Sequence, residues 1–167
     1  MPSIQGVEDG LRQYPIQLRN SWYMLFFQLR GLADRVVASR DFAFIEKLWR
    51  DWSPGWDWDP ADMERLKGSF REPEVLWCAL AYYRAMINFA LPESKRVREM
   101  LRDPVEVATL VITGARDGCL DTRIFDCMDP KLFPAGLQIE RIEDAGHFVH
   151  QERPERVNEL LLDWLAR

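Results

Sequence analysis

An aspartate and a histidine, each just beyond a strand-like run, have the types and spacing for proton-transfer chemistry. Asp117 closes Gly114-Ala115-Arg116-Asp117 after an apolar, β-branched run at residues 107–113. His147 closes Ala145-Gly146-His147 after a second run at 137–142. If the two runs lie side by side as parallel strands, their following loops share one rim, where open α/β sheets bind ligands. There a carboxylate can orient an imidazole, fix its tautomer and stabilise the imidazolium, so that the ring acts as a general base. A lone loop aspartate or a lone turn histidine is commonplace; the pair, each following a strand, is what points to catalysis.

Composition narrows the classes. At 167 residues there is room for one domain, or a small domain with a large helical insertion. Twenty-two basic against 27 acidic residues give a formal charge of −5, which argues against nucleic acid or an anionic membrane surface as partner. Residues 1–10 lack a basic-then-apolar pattern, and no apolar run approaches the ~20 residues needed to span a bilayer. The expectation is therefore a cytoplasmic chain. Cys78, Cys119 and Cys127 have no metal-type spacing and read as reduced thiols of no special role. With only His147 and His150 as histidines, and His150 read as a surface helix-start residue, no structural zinc and no metal is expected.

The positioning elements fall into two parts. Residues 1–103 read as helical and aromatic-rich: a helix at 11–29 with Pro15 at its start or a kink, a short one at 32–39, and one capped by Asp41 running to Trp52. Ser53-Pro54-Gly55 breaks the pattern. Asp59-Pro60 opens a helix to about 70, Glu72-Pro73 opens a long apolar helix at 75–89, and 94–101 is a further amphipathic segment. The helix at 75–89 is expected to be buried on most sides or to lie over a cavity. Residues 104–167 change character: strand, polar loop, strand, then a helix at 154–166 turning Val157, Leu160, Leu161, Trp164 and Leu165 to the sheet. The class is α/β, with a sheet that looks incomplete, since two parallel strands of buried type do not stand alone.

The run Thr109-Leu110-Val111-Ile112-Thr113-Gly114-Ala115-Arg116-Asp117, with Ile142 to Phe148 and Glu152-Arg153-Pro154, resembles the C-terminal part of α/β-hydrolase enzymes. The helical first part resembles their cap, most closely that of epoxide hydrolases. Ser21-Trp22-Tyr23-Met24 and Tyr82-Tyr83-Arg84 look like the segments carrying the two phenols that activate an epoxide, which implies Tyr23 and Tyr83, with Tyr82 an alternative to Tyr83. The resemblance implies a partial α/β-hydrolase fold: a helical cap at 1–103, then the last two parallel strands and C-terminal helix at 104–167. It implies a two-step reaction in which an aspartate opens the epoxide to an ester, the phenols assist the oxygen, and His147, oriented by Asp117, activates the hydrolytic water. Trp22, Phe26, Phe27, Trp77 and Phe89 are the expected walls for a small apolar epoxide or ester, and no cofactor is implied.

One part of the family pattern is not in this sequence. It contains no Gly-x-Asp-x-x-Gly or Gly-x-Ser-x-Gly nucleophile elbow and no His-Gly oxyanion segment. The expectation is a fragment inactive by itself, either homo-oligomeric or completed by an N-terminal half. A serine esterase or haloalkane dehalogenase of the same fold, and a non-catalytic binding or oligomerisation module, are the alternatives.

Overall fold

A computed structural model describes residues 4–88 and 90–167. Eight helices come first: α1 (Ile4–Gln13), α2 (Ile16–Asn20), α3 (Trp22–Phe26), α4 (Leu32–Ala38), α5 (Ala43–Trp52), α6 (Pro60–Arg71), α7 (Pro73–Ile87) and α8 (Pro92–Met100). Strand β1 (Thr109–Gly114) follows, then two 3-10 turns (Thr122–Cys127 and Pro130–Leu132), β2 (Leu137–Ile142), α9 (Val149–Glu152) and α10 (Pro154–Leu165). The strands pair in parallel, from Thr109 opposite Leu137 to Gly114 opposite Ile142, so both chains leave the sheet at the same edge. This is the α/β class read from the sequence, and it puts the loops after both strands side by side.

Local chemistry explains the breaks. The single helix expected at 11–29 is three pieces. Pro15, which has no N–H to donate, separates α1 from α2. At Ser21 the backbone leaves helical geometry while the Gln17 amide donates to the Ser21 hydroxyl at 2.8 Å. Helix α1 begins at Ile4, ahead of the expected start at Leu11, and packs on the turn Thr122–Cys127, with Gly10 against the fully buried Ile124.

Asp41 does not cap α5. It sits with Arg40 and Phe42 in three successive positive-φ positions and pairs instead with Arg71 (2.8 Å) and Lys67 (3.6 Å). Phe42 takes the N-terminal position and is buried against Phe70, a contact that offsets the left-handed backbone. Asp59 does cap α6, accepting from the Ala61 N–H at 2.8 Å, with Pro60 in the first turn.

The helical part has its own core, in which Phe27, Ile45, Leu48 and Leu80 meet. Val157 and Leu160 of α10 pack on Ile142, Ala145 and Val149. Three expectations are corrected here. Of the two alternatives for α7, burial on most sides fails, since it contacts α4 and α6 and leaves Val75, Tyr82 and Met86 exposed, whereas its Trp77, Ala81, Arg84 and Ala85 do line a groove. In α10, Leu161 and Leu165 point away from the sheet, Leu165 being 78% exposed, because a helix against a two-stranded sheet buries only one narrow stripe. Likewise β1 is half-buried rather than covered on both faces. Among the described residues no helix is long and apolar enough to cross a membrane.

Candidate active site

The strand ends bring Asp117 and His147 together. Asp117 Oδ2 lies 2.9 Å from His147 Nδ1, with the aspartate side chain 5% and the imidazole 33% exposed. The other carboxylate oxygen, Oδ1, accepts from the N–H groups of Cys119 (2.7 Å) and Leu120 (2.9 Å). Asp117 is therefore fixed by its own loop, and its free oxygen is aimed at the ring. Parallel register makes this possible: the Ala115 N–H donates to the Ile142 carbonyl (3.0 Å) and the Arg116 N–H to the Ala145 carbonyl (2.9 Å), holding the two loops in step.

The end of α5 closes the site from the helical side. The Trp52 carbonyl accepts from Gly118 N–H at 2.9 Å and from His147 N–H at 3.1 Å, touching both loops at once. The Trp52 ring packs 5.2 Å from the imidazole and 5.1 Å from the Tyr23 ring. Tyr23 is buried, with its hydroxyl 3.3 Å from the Cys119 sulfur, and Tyr83 meets it edge-on at 5.6 Å. Of the adjacent tyrosines, Tyr83 faces Tyr23 whereas Tyr82 is 58% exposed.

The expected wall residues disperse. Phe27 packs on both Tyr23 and Tyr83. Phe26 and Trp22 form the next layer outward with Phe44, Trp22 being partly exposed. Trp77 is 63% exposed and lines a groove of about 490 Å³ with Asp34, Ala81 and Arg84, a groove that holds neither Asp117 nor His147. Phe89 lies outside the described residues. An aromatic group the sequence reading passed over flanks the histidine instead: Phe148 contacts Trp49 (4.6 Å), Trp56 (5.4 Å) and Trp52 (6.3 Å).

Cys119 is no bystander, contrary to the sequence reading. It joins Tyr23 to the Asp117 loop, which spacing along the chain does not reveal. Burial pushes its thiol from 9.0 up to about 12, and burial, then Cys119, raises the Tyr23 phenol above its ordinary value. Donor atoms of Asp117, Cys119 and His147 lie within 4.8 Å of one another. A protonated thiol is a poor metal ligand, and each of the three already has a hydrogen-bond partner, so the donor set suits a proton network better than a cation. The remaining residues to which the sequence gave no site role are Ser53 and Glu152, both buried, beside the histidine loop. The sequence reading names both without giving either a role: Ser53 in the Ser53-Pro54-Gly55 break, and Glu152 in the Glu152-Arg153-Pro154 run that carries the family resemblance.

These shifts have a consequence for stability. An acid whose folded pKa is raised stabilises the fold fully below its unfolded value and loses that contribution as pH rises through the folded value. For Cys119 the window runs from pH 9.0 to about 12. Urea unfolding across that window should show wild-type stability falling, with a shallower fall in Cys119→Ala; parallel curves would refute the assignment.

No family model matches the chain. Curated relatives do. It is 30% identical to epoxide hydrolase 1 of Caenorhabditis elegans over 90% of this chain and 36% of that protein. It is 26% identical to epoxide hydrolase 3 of Xenopus tropicalis over 98% of this chain and 44% of that protein. The Bacillus megaterium epoxide hydrolase structure superposes with a TM-score of 0.73 at 21% identity, over 99% of this chain and 57% of that one. A Klebsiella pneumoniae structure described as a putative epoxide hydrolase gives 0.74 at 19%, over 90% and 50%. The chain has part of the α/β-hydrolase fold, and its sequence is most similar to epoxide hydrolases. It spans about a third to a little over half the length of these relatives, so the similarity covers part of the α/β-hydrolase fold.

Proposed function

We propose that this chain carries the water-activating half of an epoxide-to-diol reaction. The observation that supports it is the 2.9 Å contact between Asp117 and His147 at paired strand ends. In this reading a carboxylate nucleophile outside this sequence attacks an epoxide carbon, the ring C–O bond breaks, and an ester forms. Tyr23 and Tyr83, whose phenols are held neutral by burial, both hydrogen-bond the departing oxygen, and one of them gives it a proton that is later restored, through solvent, from the His147 imidazolium. His147 then takes a proton from water as that water attacks the ester carbonyl, and Asp117 stabilises the imidazolium that results. Neutral phenols suit an oxygen that gains negative charge, which a halide leaving group does not require in the same way. In domain terms the proposal takes 1–103 as the lid and 104–167 as part of the core.

The test uses the chain joined to a nucleophile-bearing N-terminal half of an epoxide hydrolase and mixed with styrene oxide. Intact mass should show one substrate equivalent trapped on His147→Gln and none accumulated on the parent. Undiminished turnover in His147→Gln, or a trap located on a serine, would refute the reading.

A further inference from the structure

We infer that the Trp52-Ser53 end of α5, together with Glu152, is the device that positions the His147 imidazole. The inference rests on the proposed role of His147 as base and adds residues that neither the sequence reading nor the reaction itself calls for. The three successive N–H groups around the histidine are all held by this device. Gly146 N–H donates to Glu152 Oε2 at 2.8 Å, His147 N–H to the Trp52 carbonyl at 3.1 Å, and Phe148 N–H to Glu152 Oε1 and Ser53 Oγ, both at 3.2 Å. The Ser53 hydroxyl in turn donates to Glu152 Oε1 at 2.8 Å. One buried carboxylate thus grips the peptide on either side of His147, and a wholly buried serine from 99 residues away grips the carboxylate.

The chemistry of the grip calls for an anion. Every group aimed at Glu152 is a donor, and only a carboxylate offers acceptors alone on both oxygens. Close packing leaves little slack: a Cβ on Gly146 would come within 2.6 Å of Ser53 Cα and 2.8 Å of its hydroxyl oxygen. The Trp52 carbonyl also takes the Gly118 N–H, so the same helix end sets the acid loop. Spacing between Asp117 and His147 is therefore fixed from the helical part as well as from the sheet, and Ser53 and Glu152 act through His147 as positioning residues.

The ring tautomer reads this out without any turnover. The chain has two histidines, so His150→Gln leaves one imidazole to observe by nitrogen-15 NMR. In that background His147 should show a single tautomer protonated at Nδ1, the atom facing Asp117. Glu152→Gln and Ser53→Ala should each shift the ring signals toward a tautomer mixture like that of free imidazole. Val157→Ala, a core truncation under α10, should lower stability and leave the ring signals in place. If Glu152→Gln fails to fold, Ser53→Ala carries the test. Unchanged ring signals in both folded variants would overturn the positioning role. A parent protein already showing the free-imidazole mixture would instead overturn the Asp117–His147 pairing on which the proposed reaction depends.

Discussion

Asp117→Asn is expected to leave the fold in place and to lower turnover of a competent assembly by roughly 10⁴-fold, about 5.4 kcal/mol in barrier. The argument is one of donors and acceptors. Two N–H groups, those of Cys119 and Leu120, converge on Asp117 Oδ1 at 2.7 and 2.9 Å and need an acceptor. An asparagine satisfies them with its carbonyl oxygen, which turns its NH2 toward His147 Nδ1. Two donors then face each other unless the imidazole moves its proton to Nε2. That is the atom that must accept from water, so the base is present but wrongly protonated. Stability should change by only about 1 kcal/mol, because the loop keeps its hydrogen bonds. Single-turnover kinetics should show the ester forming at its usual rate and hydrolysing slowly. Turnover within tenfold of the parent would sink the assignment of His147 and Asp117.

The pairing behind that prediction was legible in the sequence because it depends on periodicity alone. A β-branched run at 107–113 and an alternating one at 137–142 announce parallel strands, and whatever follows them shares a rim. Asp59-Pro60 was legible for a similar reason, as its capping geometry is local. What was not legible depends on which face of an element meets which neighbour. Trp77 has the composition of a pocket wall but stands on the outer side of α7. Cys119 has the composition of a bland thiol but is brought against Tyr23, 96 positions away. Glu152 is the sharpest case. Its sequence surroundings are polar, and only the approach of Ser53 and the histidine loop buries its carboxylate with donors on both oxygens. Asp41 was misread because its backbone is left-handed, a state that favourable contacts with Arg71 and Lys67 hold and local propensity does not favour.

Gly118→Ala should be strongly destabilising for so small a change, costing about 3 kcal/mol, the upper part of the range for overpacking. At this position a Cβ would overlap the Asp51 carbonyl oxygen and lie 3.0 Å from its carbon and 3.3 Å from Trp52 Cα. All three are backbone atoms of α5, so no side chain can rotate to make room. The acid loop must back away, and as it does it loses the Gly118 N–H bond to the Trp52 carbonyl. That carbonyl also holds His147, so the damage spreads to the base. Gly68→Ala in α6 is the control: nothing lies within 4 Å of its Cβ, and a helix-interior alanine should stabilise by about 0.5–1 kcal/mol. Urea unfolding of the two variants should therefore move in opposite directions. If Gly118→Ala unfolds at the wild-type midpoint, the loop and the helix end are not in contact in solution. The distinction from Asp117→Asn is then instructive, since one change removes chemistry from an intact scaffold and the other removes the scaffold from intact chemistry.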